Sequence, residues 1–488
     1  MIRSLLCARD NIGENFNIGE NKHRAKVWIS VVPWRYDLIR IFRHYIPVPS
    51  MLLVVGEAAL FFILIAMVEG TSAEAMPAAV LLVLVVVTVM SSAGMYNRAV
   101  MCRPNTLLGR AAVAAPVAAA ASWLALLAAG GGGLLPRAAA LGAACTVIGL
   151  AVHGATVGLL NAKPFKCRIL VLGSGARARK VAAMAAASGR RVVAVGFVAW
   201  DGEACEGLAP LVPAEAFDTP AEAAAFVRAN GVEKIVIAIG DDCQLPLAAL
   251  LECRLGGIPV QDFQSFCESE NGCLDLDALS PDWLIFNDGF RMGRFRRLVK
   301  ACFDRVVAGL LLVLALPVLV AVAVAVKATD GGPVLYRQER VGEGGKAFQV
   351  LKFRSMRVDA EKGGPQWAAS GDARVTSIGR FIRRTRIDEI PQVINVLKGE
   401  MSFIGPRPER PVFVDQLRCV IPHFDLRHRI KPGITGWAQT NYPYGASVED
   451  ARNKLSYDLY YLKNGSIFLD LLILVQTVRV VLFSEGAR

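Results

Sequence analysis

Arg294-Phe-Arg-Arg-Leu-Val-Lys300-Ala-Cys-Phe-Asp304-Arg-Val306 opens an apolar run that passes through Leu316-Pro317, ends at Val326 and closes on Lys327. The run is long enough to cross a bilayer, which takes about 20 residues of helix. Pro317 removes a helical hydrogen bond and bends the axis in mid-run. Both flanks are strongly basic, and Lys and Arg are retained on the cytoplasmic side. A straight crossing would put one basic flank outside. A hairpin that enters and leaves on the same face removes the conflict, so residues 291–327 are expected to form a re-entrant membrane hairpin.

Four further runs upstream share this length: Met51 to Val68, Pro77 to Met95, Ala111 to Ala129 and Ala138 to Leu160. They explain why 54% of the 488 residues are hydrophobic and only 20% charged. The connections alternate in basic content, from Arg35, Arg40 and Arg43, through none, to Arg98, Arg103 and Arg110, then Arg137 alone, then Lys163, Lys166 and Arg168. This predicts four transmembrane helices over 50–160 that start and end in the cytoplasm, preceded by a cytoplasmic extension over 1–49. The first run lies too far from Met1 for a removable signal peptide. Glu57 and His153 fall inside spans and are given no role. The 11 cysteines include no Cys-x-x-Cys pair, which argues against a disulfide scaffold or a zinc site.

Residues 161–290 alternate strand and helix, the pattern of a parallel, doubly wound Rossmann-like sheet. Its first turn, Gly173-Ser-Gly175-Ala-Arg-Ala178, approaches the dinucleotide fingerprint. The acidic residue expected about 20 positions on is matched only loosely by Asp201. A structural or regulatory module is therefore favoured over a working cofactor site.

Residues 291–410 are the basic part of a chain whose formal charge is +12. Anionic lipid and a phosphorylated substrate both suit that charge, whereas nucleic acid is excluded as a partner because no binding motif accompanies it. Within it lies Arg383-Arg-Thr-Arg-Ile-Asp388-Glu389-Ile-Pro391-Gln-Val-Ile-Asn-Val-Leu-Lys-Gly399. Pro391 and Gly399 bound a short helix with the two acids at its start. Helix capping by Asp388 is the plain alternative. The loop Gly405-Pro-Arg407-Pro408 and the triplet Lys352-Phe-Arg354 add cations. Two acids able to hold Mg²⁺ or attack phosphorus, among cations that neutralise phosphate oxygens, suit phosphoryl transfer.

These residues, with Phe303-Asp304, Gly332-Pro-Val-Leu-Tyr-Arg-Gln338, Lys352-Phe-Arg-Ser-Met356, Met401-Ser-Phe-Ile-Gly-Pro-Arg-Pro408 and Lys431-Pro-Gly-Ile-Thr-Gly-Trp-Ala-Gln439, make the chain resemble the monotopic phosphoglycosyl transferases in their large form. The resemblance implies an α-rich catalytic domain over 328–488 anchored by the re-entrant hairpin. It also implies transfer of hexose-1-phosphate from a UDP-hexose to undecaprenyl phosphate at the bacterial inner membrane, with Mg²⁺ as cofactor and a homodimer expected. The product would begin exopolysaccharide or O-antigen assembly. In that family the first acid of the dyad becomes covalently phosphoglycosylated, which carries over to Asp388, and the second, Glu389, binds Mg²⁺. Lys352, Arg383 and Arg407 match substrate-phosphate positions. One departure is Leu316, where the family often has Ser before the hairpin proline.

From charge alone, Asp388 is expected to be ionised beside Arg383, Arg384 and Arg386, hence nucleophile rather than base. Every candidate catalytic residue follows Arg291, so a fragment from Arg291 to Arg488 is expected to retain activity. Ile467 to Phe483, interrupted by Asp470, Gln476 and Arg479, is expected to lie as an interfacial amphipathic helix. The competing readings are a non-enzymatic scaffold of polysaccharide assembly and a glycosyltransferase using Asp275-Leu-Asp277. A short-chain dehydrogenase lacks its Tyr-x-x-x-Lys pair, and a P-loop at Lys346 lacks its earlier glycine.

Overall fold

The computed structural model describes residues 38–482 apart from 71, 73–74, 102, 131–134, 161–165, 188–191, 201–207, 241–242, 288, 291–292, 358–373, 444 and 446. Asp201 and most of the N-terminal extension lie outside the described residues. What is described of the extension is a β-hairpin, β1 (Leu38–Ile41) and β2 (His44–Pro47), followed at once by α1 (Val48–Glu69). Helices α2 (Ala75–Ser92), α3 (Arg98–Met101), α4 (Pro104–Ala128) and α5 (Leu135–Leu160) complete the apolar N-terminal part. α1, α2, α4 and α5 are each long and apolar enough to cross a membrane. They pack through Phe61, Leu82, Val86, Met90 and Ala114. A buried polar cluster ties three of their segments together: Glu57 meets His153 Nδ1 at 2.9 Å and accepts from Tyr96 Oη at 2.8 Å.

The middle part is a mixed α/β unit. It contains β3 (Cys167–Leu172), α6 (Ala176–Ala187), β4 (Val192–Val198), β5 (Leu211–Val212), α7 (Pro220–Ala229), β6 (Lys234–Ile237), α8 (Leu247–Leu255), β7 (Val260–Asp262) and α9 (Phe263–Asn271). The strands are parallel in the order β5-β4-β3-β6-β7, with helices on both faces and two apolar cores. This is the doubly wound arrangement that the alternation of apolar strands and Ala-rich helices implies. The fingerprint turn is used for packing: a side chain at Gly173, where φ is +123°, would run into the Ala238 backbone. Arg177 donates to Ile239 O at 2.8 Å across the crevice between β3 and β6, where a nucleotide would lie in such a sheet.

After α10 (Pro281–Phe286) the chain enters α11 (Arg294–Asp330). α11 is a helix of 37 residues that carries Pro317 inside it, the position at which the expected hairpin bends. Proline deletes one N–H donor, and the remaining helical bonds carry the apolar segment past it. Both halves of α11 lie against the same folded unit. Ala308 packs with Val393 and Val396, while Val322 and Val326 pack with Phe353 and Ile382.

That unit comprises the antiparallel pair β8 (Leu335–Val341) and β9 (Ala347–Phe353), α12 (Ser377–Arg384), α13 (Val393–Lys398), β10 (Ser402–Ile404), α14 (Pro411–Val420), β11 (Gly433–Thr435, parallel to β10), α15 (Trp437–Asn441), α16 (Val448–Asn464) and α17 (Ile467–Leu482). Its core reaches back across the expected boundary at 290. Leu274, Leu276 and Leu279 are buried with Phe424, Leu459 and Tyr460. Asp275 and Asp277 both bind Lys180, and Asp277 also binds Arg452, so this Asp-x-Asp pair is spent on ion pairs between the middle part and α16.

The interfacial helix expected at 467–483 is packed between α2 on one side and β10, β11 and α15 on the other. Its polar residues face inward: Asp470 accepts from Tyr461 Oη at 2.6 Å, and Arg479 donates to Thr440 O at 2.9 Å. The β1–β2 hairpin docks on α16 as well, with His44 Nδ1 2.7 Å from Tyr460 Oη and its ring edge-on to Trp437.

Candidate active site

The acids fall in a single 3₁₀ turn, Ile387–Gln392, that runs directly into α13. Pro391 suits this turn because it needs no N–H, and Gly399 closes α13 in the left-handed conformation at φ +83°. Arg386, just before the turn, also adopts a left-handed conformation, φ +60°, which is uncommon for a side chain of its size. The turn is pinned to β9 by Asn395. Its Oδ1 accepts from Leu351 N at 3.1 Å and its Nδ2 donates to Gln349 O at 2.7 Å. The neighbour of Leu351 is Lys352, so this amide clamp brings Lys352 to the dyad.

Asp388 and Glu389 are both buried, at 8% exposure each. Glu389 Oε1 accepts from Lys352 Nζ at 2.9 Å and from Arg407 Nη2 at 3.0 Å, and Arg386 stands 3.9 Å from Oε2. Arg407 sits on the Gly405–Pro408 loop. A side chain at Gly405 would strike the Lys431 backbone, so glycine permits the close approach of this loop to β11. The loop is fixed from behind, where Arg427 donates to Arg407 O at 2.9 Å and pairs with buried Asp458 at 2.8 Å.

The two adjacent carboxyls differ in ionisation. Burial opposes the charge on Glu389, but Lys352, Arg407 and Arg386 outweigh it and hold the group well below the usual carboxylate range. Asp388 is pushed up to about 6, by burial first and then by the charge on Glu389, against the pull of Lys352, Arg383 and Arg386. The expectation that cations alone set its charge is corrected here: desolvation and the neighbouring acid prevail over them. Asp388 is still mostly ionised near neutral pH. Burial also lowers Lys352 below the usual lysine value.

A cavity of about 170 Å³ opens beside Glu389, with Arg386, Arg407, Gln439, Thr440 and Lys454 in its walls. Lys352, Arg383, Arg407 and both acids therefore converge. Pro317 stands apart in the apolar helix. Sequence reasoning missed Lys454, Arg427 and Asp458, which reach the site from α16 and from the turn before β11. It treated Arg386 only as one of a run of arginines.

Comparison with known proteins bears on this site. The profile described as bacterial sugar transferase matches residues 295–484. A Bacillus subtilis protein named as an uncharacterized sugar transferase is 40% identical over 191 residues, which are 39% of this chain and 91% of that protein. The chain belongs to the bacterial sugar transferase family.

Two other members of the family have more specific names. The UDP-N-acetylgalactosamine-undecaprenyl-phosphate N-acetylgalactosaminephosphotransferase of Aeromonas hydrophila is 42% identical over 239 residues, 49% of this chain and 56% of that protein. The UDP-glucose:undecaprenyl-phosphate glucose-1-phosphate transferase of Escherichia coli (strain K12) is 45% identical over 184 residues, 37% of this chain and 40% of that protein. The chain thus spans about half or less of these two relatives.

Proposed function

We propose that this sugar transferase moves hexose-1-phosphate from a UDP-hexose to undecaprenyl phosphate and releases UMP. The observation that carries the reading is the dyad itself, two buried acids of unlike ionisation among Lys352, Arg383, Arg386 and Arg407. Lys352, Arg386 and Arg407 gather on Glu389 beside an open cavity, an arrangement suited to the phosphate oxygens of a diphosphate. The names of the relatives support the same donor and acceptor classes.

In the proposed mechanism a carboxylate oxygen of Asp388 attacks the sugar-linked phosphorus. The bond from that phosphorus to the bridging oxygen breaks, and UMP leaves with the electron pair. An oxygen of the lipid phosphate then attacks the same phosphorus, and the Asp388 carboxylate departs, leaving a diphosphate-linked lipid sugar. An acyl phosphate is reactive enough to make the second step accessible. Lys352, Arg383 and Arg407 hold phosphate oxygens throughout. Adjacent carboxylates are the oxygen donors that Mg²⁺ takes together with substrate phosphates, so Glu389 and Asp388 fit that ion. When bound it would neutralise charge on the diphosphate.

For the membrane arrangement we propose that α11 dips into one leaflet and returns, with the catalytic part cytoplasmic. The packing of both its halves on one unit supports this. Exposed Cys419 should then resist an impermeant thiol reagent applied to intact cells, and labelling from outside would refute it.

The covalent step is tested without acceptor. Purified protein given UDP-hexose should release UMP stoichiometric with enzyme and gain one hexose phosphate on the peptide holding Asp388. A panel including UDP-glucose and UDP-N-acetylgalactosamine identifies the sugar in the same assay. Turnover with lipid, yet neither burst nor adduct without it, would establish direct transfer instead.

A further inference from the structure

A second, larger cavity of about 750 Å³ is bounded in part by Ser402 and Ile404 of β10 and shares no wall residue with the one beside Glu389. Its walls are the first turns of α11, the stretch leading into β11, and the start of α17. Five cations line it: Arg296, Arg297, Lys300, Arg429 and Lys431. The acids in its walls are Asp304, Asp470 and Glu343. Lys300 takes two of them, Asp304 at 3.2 Å and Asp470 at 3.0 Å. Among the described residues no carboxylate lies within ion-pair distance of Arg296, Arg297, Arg429 or Lys431. Arg296 Nη2 is buried with no hydrogen-bond partner.

The rest of the wall is apolar, with Leu284, Phe290, Leu298, Leu426, Ile430 and Ile467. Leu298 is 61% exposed, and neighbouring Ile285, Phe286 and Phe295 are more than 70% exposed. From Val306 onward, α11 turns bare apolar side chains outward. The cavity thus sits where a basic surface gives way to a lipid-facing one. Such a boundary suits a molecule with a phosphate at one end and hydrocarbon at the other. A free phosphate would leave the apolar wall and most of the volume unused.

We propose that this cavity binds the headgroup of an anionic phospholipid, with Arg296, Arg297, Arg429 and Lys431 on the phosphate and the acyl chains leaving over Leu298 and Phe295. The lipid would brace α11, the β11 approach and α17 against one another. This assignment does not rest on the transferase reading, because the bound lipid is measured directly.

The full chain is purified from vesicles containing phosphatidylglycerol and phosphatidylcholine, washed in detergent, and its retained lipid is counted by mass spectrometry. Phosphatidylglycerol should be retained at about one molecule per chain and phosphatidylcholine should not. Millimolar inorganic phosphate should fail to displace it. Replacing the two exposed arginines together, Arg297→Gln with Arg429→Gln, should lower retention about tenfold or more. Lys431→Gln provides the same reading should that pair fail to fold. Equal retention of both lipids, undiminished retention in the folded variants, displacement by inorganic phosphate, or retention of polyprenyl phosphate alone would each overturn the assignment.

Discussion

Glu389 meets Lys352 at 2.9 Å, and Glu268 meets Lys463 at 2.7 Å, so the dyad and the seam between the middle and catalytic parts are built from the same two residue types. Their surroundings differ. At the seam each charge has one opposite partner. Asn464 Nδ2 satisfies the other Glu268 oxygen at 2.6 Å, Trp283 lies under the lysine at 4.2 Å, and both charged side chains are about 2% exposed. At the dyad Lys352, Arg386 and Arg407 all crowd onto Glu389, and a cavity adjoins it. A balanced, closed pair holds two surfaces together, whereas an unbalanced pair beside open space retains capacity for a ligand. The comparison predicts that substitutions at the two places trade stability and activity in opposite ways.

The largest effect is expected from Asp388→Asn, which should lower UMP release by about 10⁴-fold or more, as removal of a covalent nucleophile does. The same variant should melt no lower than the wild type at pH 7.5. Its buried carboxyl is raised to about 6, so keeping it ionised costs folding energy that the amide does not. A scaffold without catalytic function would lose nothing on this substitution. A clear drop in melting temperature would mean that Asp388 acts as a structural cap, and would break the contrast.

The seam should answer the other way. Lys463→Met leaves Glu268 buried and unpaired, which costs about 3–5 kcal/mol, visible as a lowered melting temperature. The protein that remains folded should keep its turnover rate. A fragment beginning at Arg291 suffers the reciprocal loss, with Lys463 unpaired and the places of Leu274, Leu276 and Leu279 empty in the catalytic core. It should be less stable than one beginning near Gly272 that carries Lys463→Met. Equal stability of the two fragments would show that the seam contributes little.

These contrasts show what the sequence could and could not reveal. The dyad, Lys352 and Arg407 were legible because each lies in a short local block whose residue types already suit phosphate chemistry. The parallel sheet was legible from its alternation of apolar strands and Ala-rich helices. Lys454, Arg427 and Asp458 were not, because they reach the site only through the packing of α16 against the turn before β11. The β1–β2 hairpin was hidden because Arg40 and Arg43 were read as markers of membrane orientation, not as part of a surface that docks on α16. Asp470 and Arg479 gave α17 an amphipathic pattern, but a polar residue in an apolar helix faces inward as readily as outward when a buried partner such as Tyr461 awaits it.

Glu389→Gln should give an intermediate result on both axes. It leaves Lys352 and Arg407 without their carboxylate, so UMP release should fall by about 100-fold and the dependence on Mg²⁺ should flatten. The melting temperature should also fall, since a carboxyl held well below its usual range contributes stability at neutral pH. An active, stable variant would make Glu389 dispensable and return the dyad to Asp388 alone.

The smallest effect is a displaced pH limb, and it separates the two causes acting on Asp388. The nucleophile must be ionised, so single-turnover UMP release should fall about tenfold per pH unit below about 6 and level off above it. The linked stability runs oppositely. Because the folded carboxyl is raised from 3.8 to about 6, the folded protein takes up this proton before the unfolded chain does, and stability from this group declines as pH rises through that window. Burial and the charge on Glu389 both push the limb up. Glu389→Gln removes only the second and also releases Lys352, Arg386 and Arg407 from their carboxylate. The limb should therefore move down by about one unit, while its plateau is lower for the reasons above. A limb that stays near 6 in the variant would assign the whole shift to burial. A wild-type limb near 4 would mean that the surrounding cations outweigh burial after all, and that Asp388 differs less from Glu389 than their surroundings require.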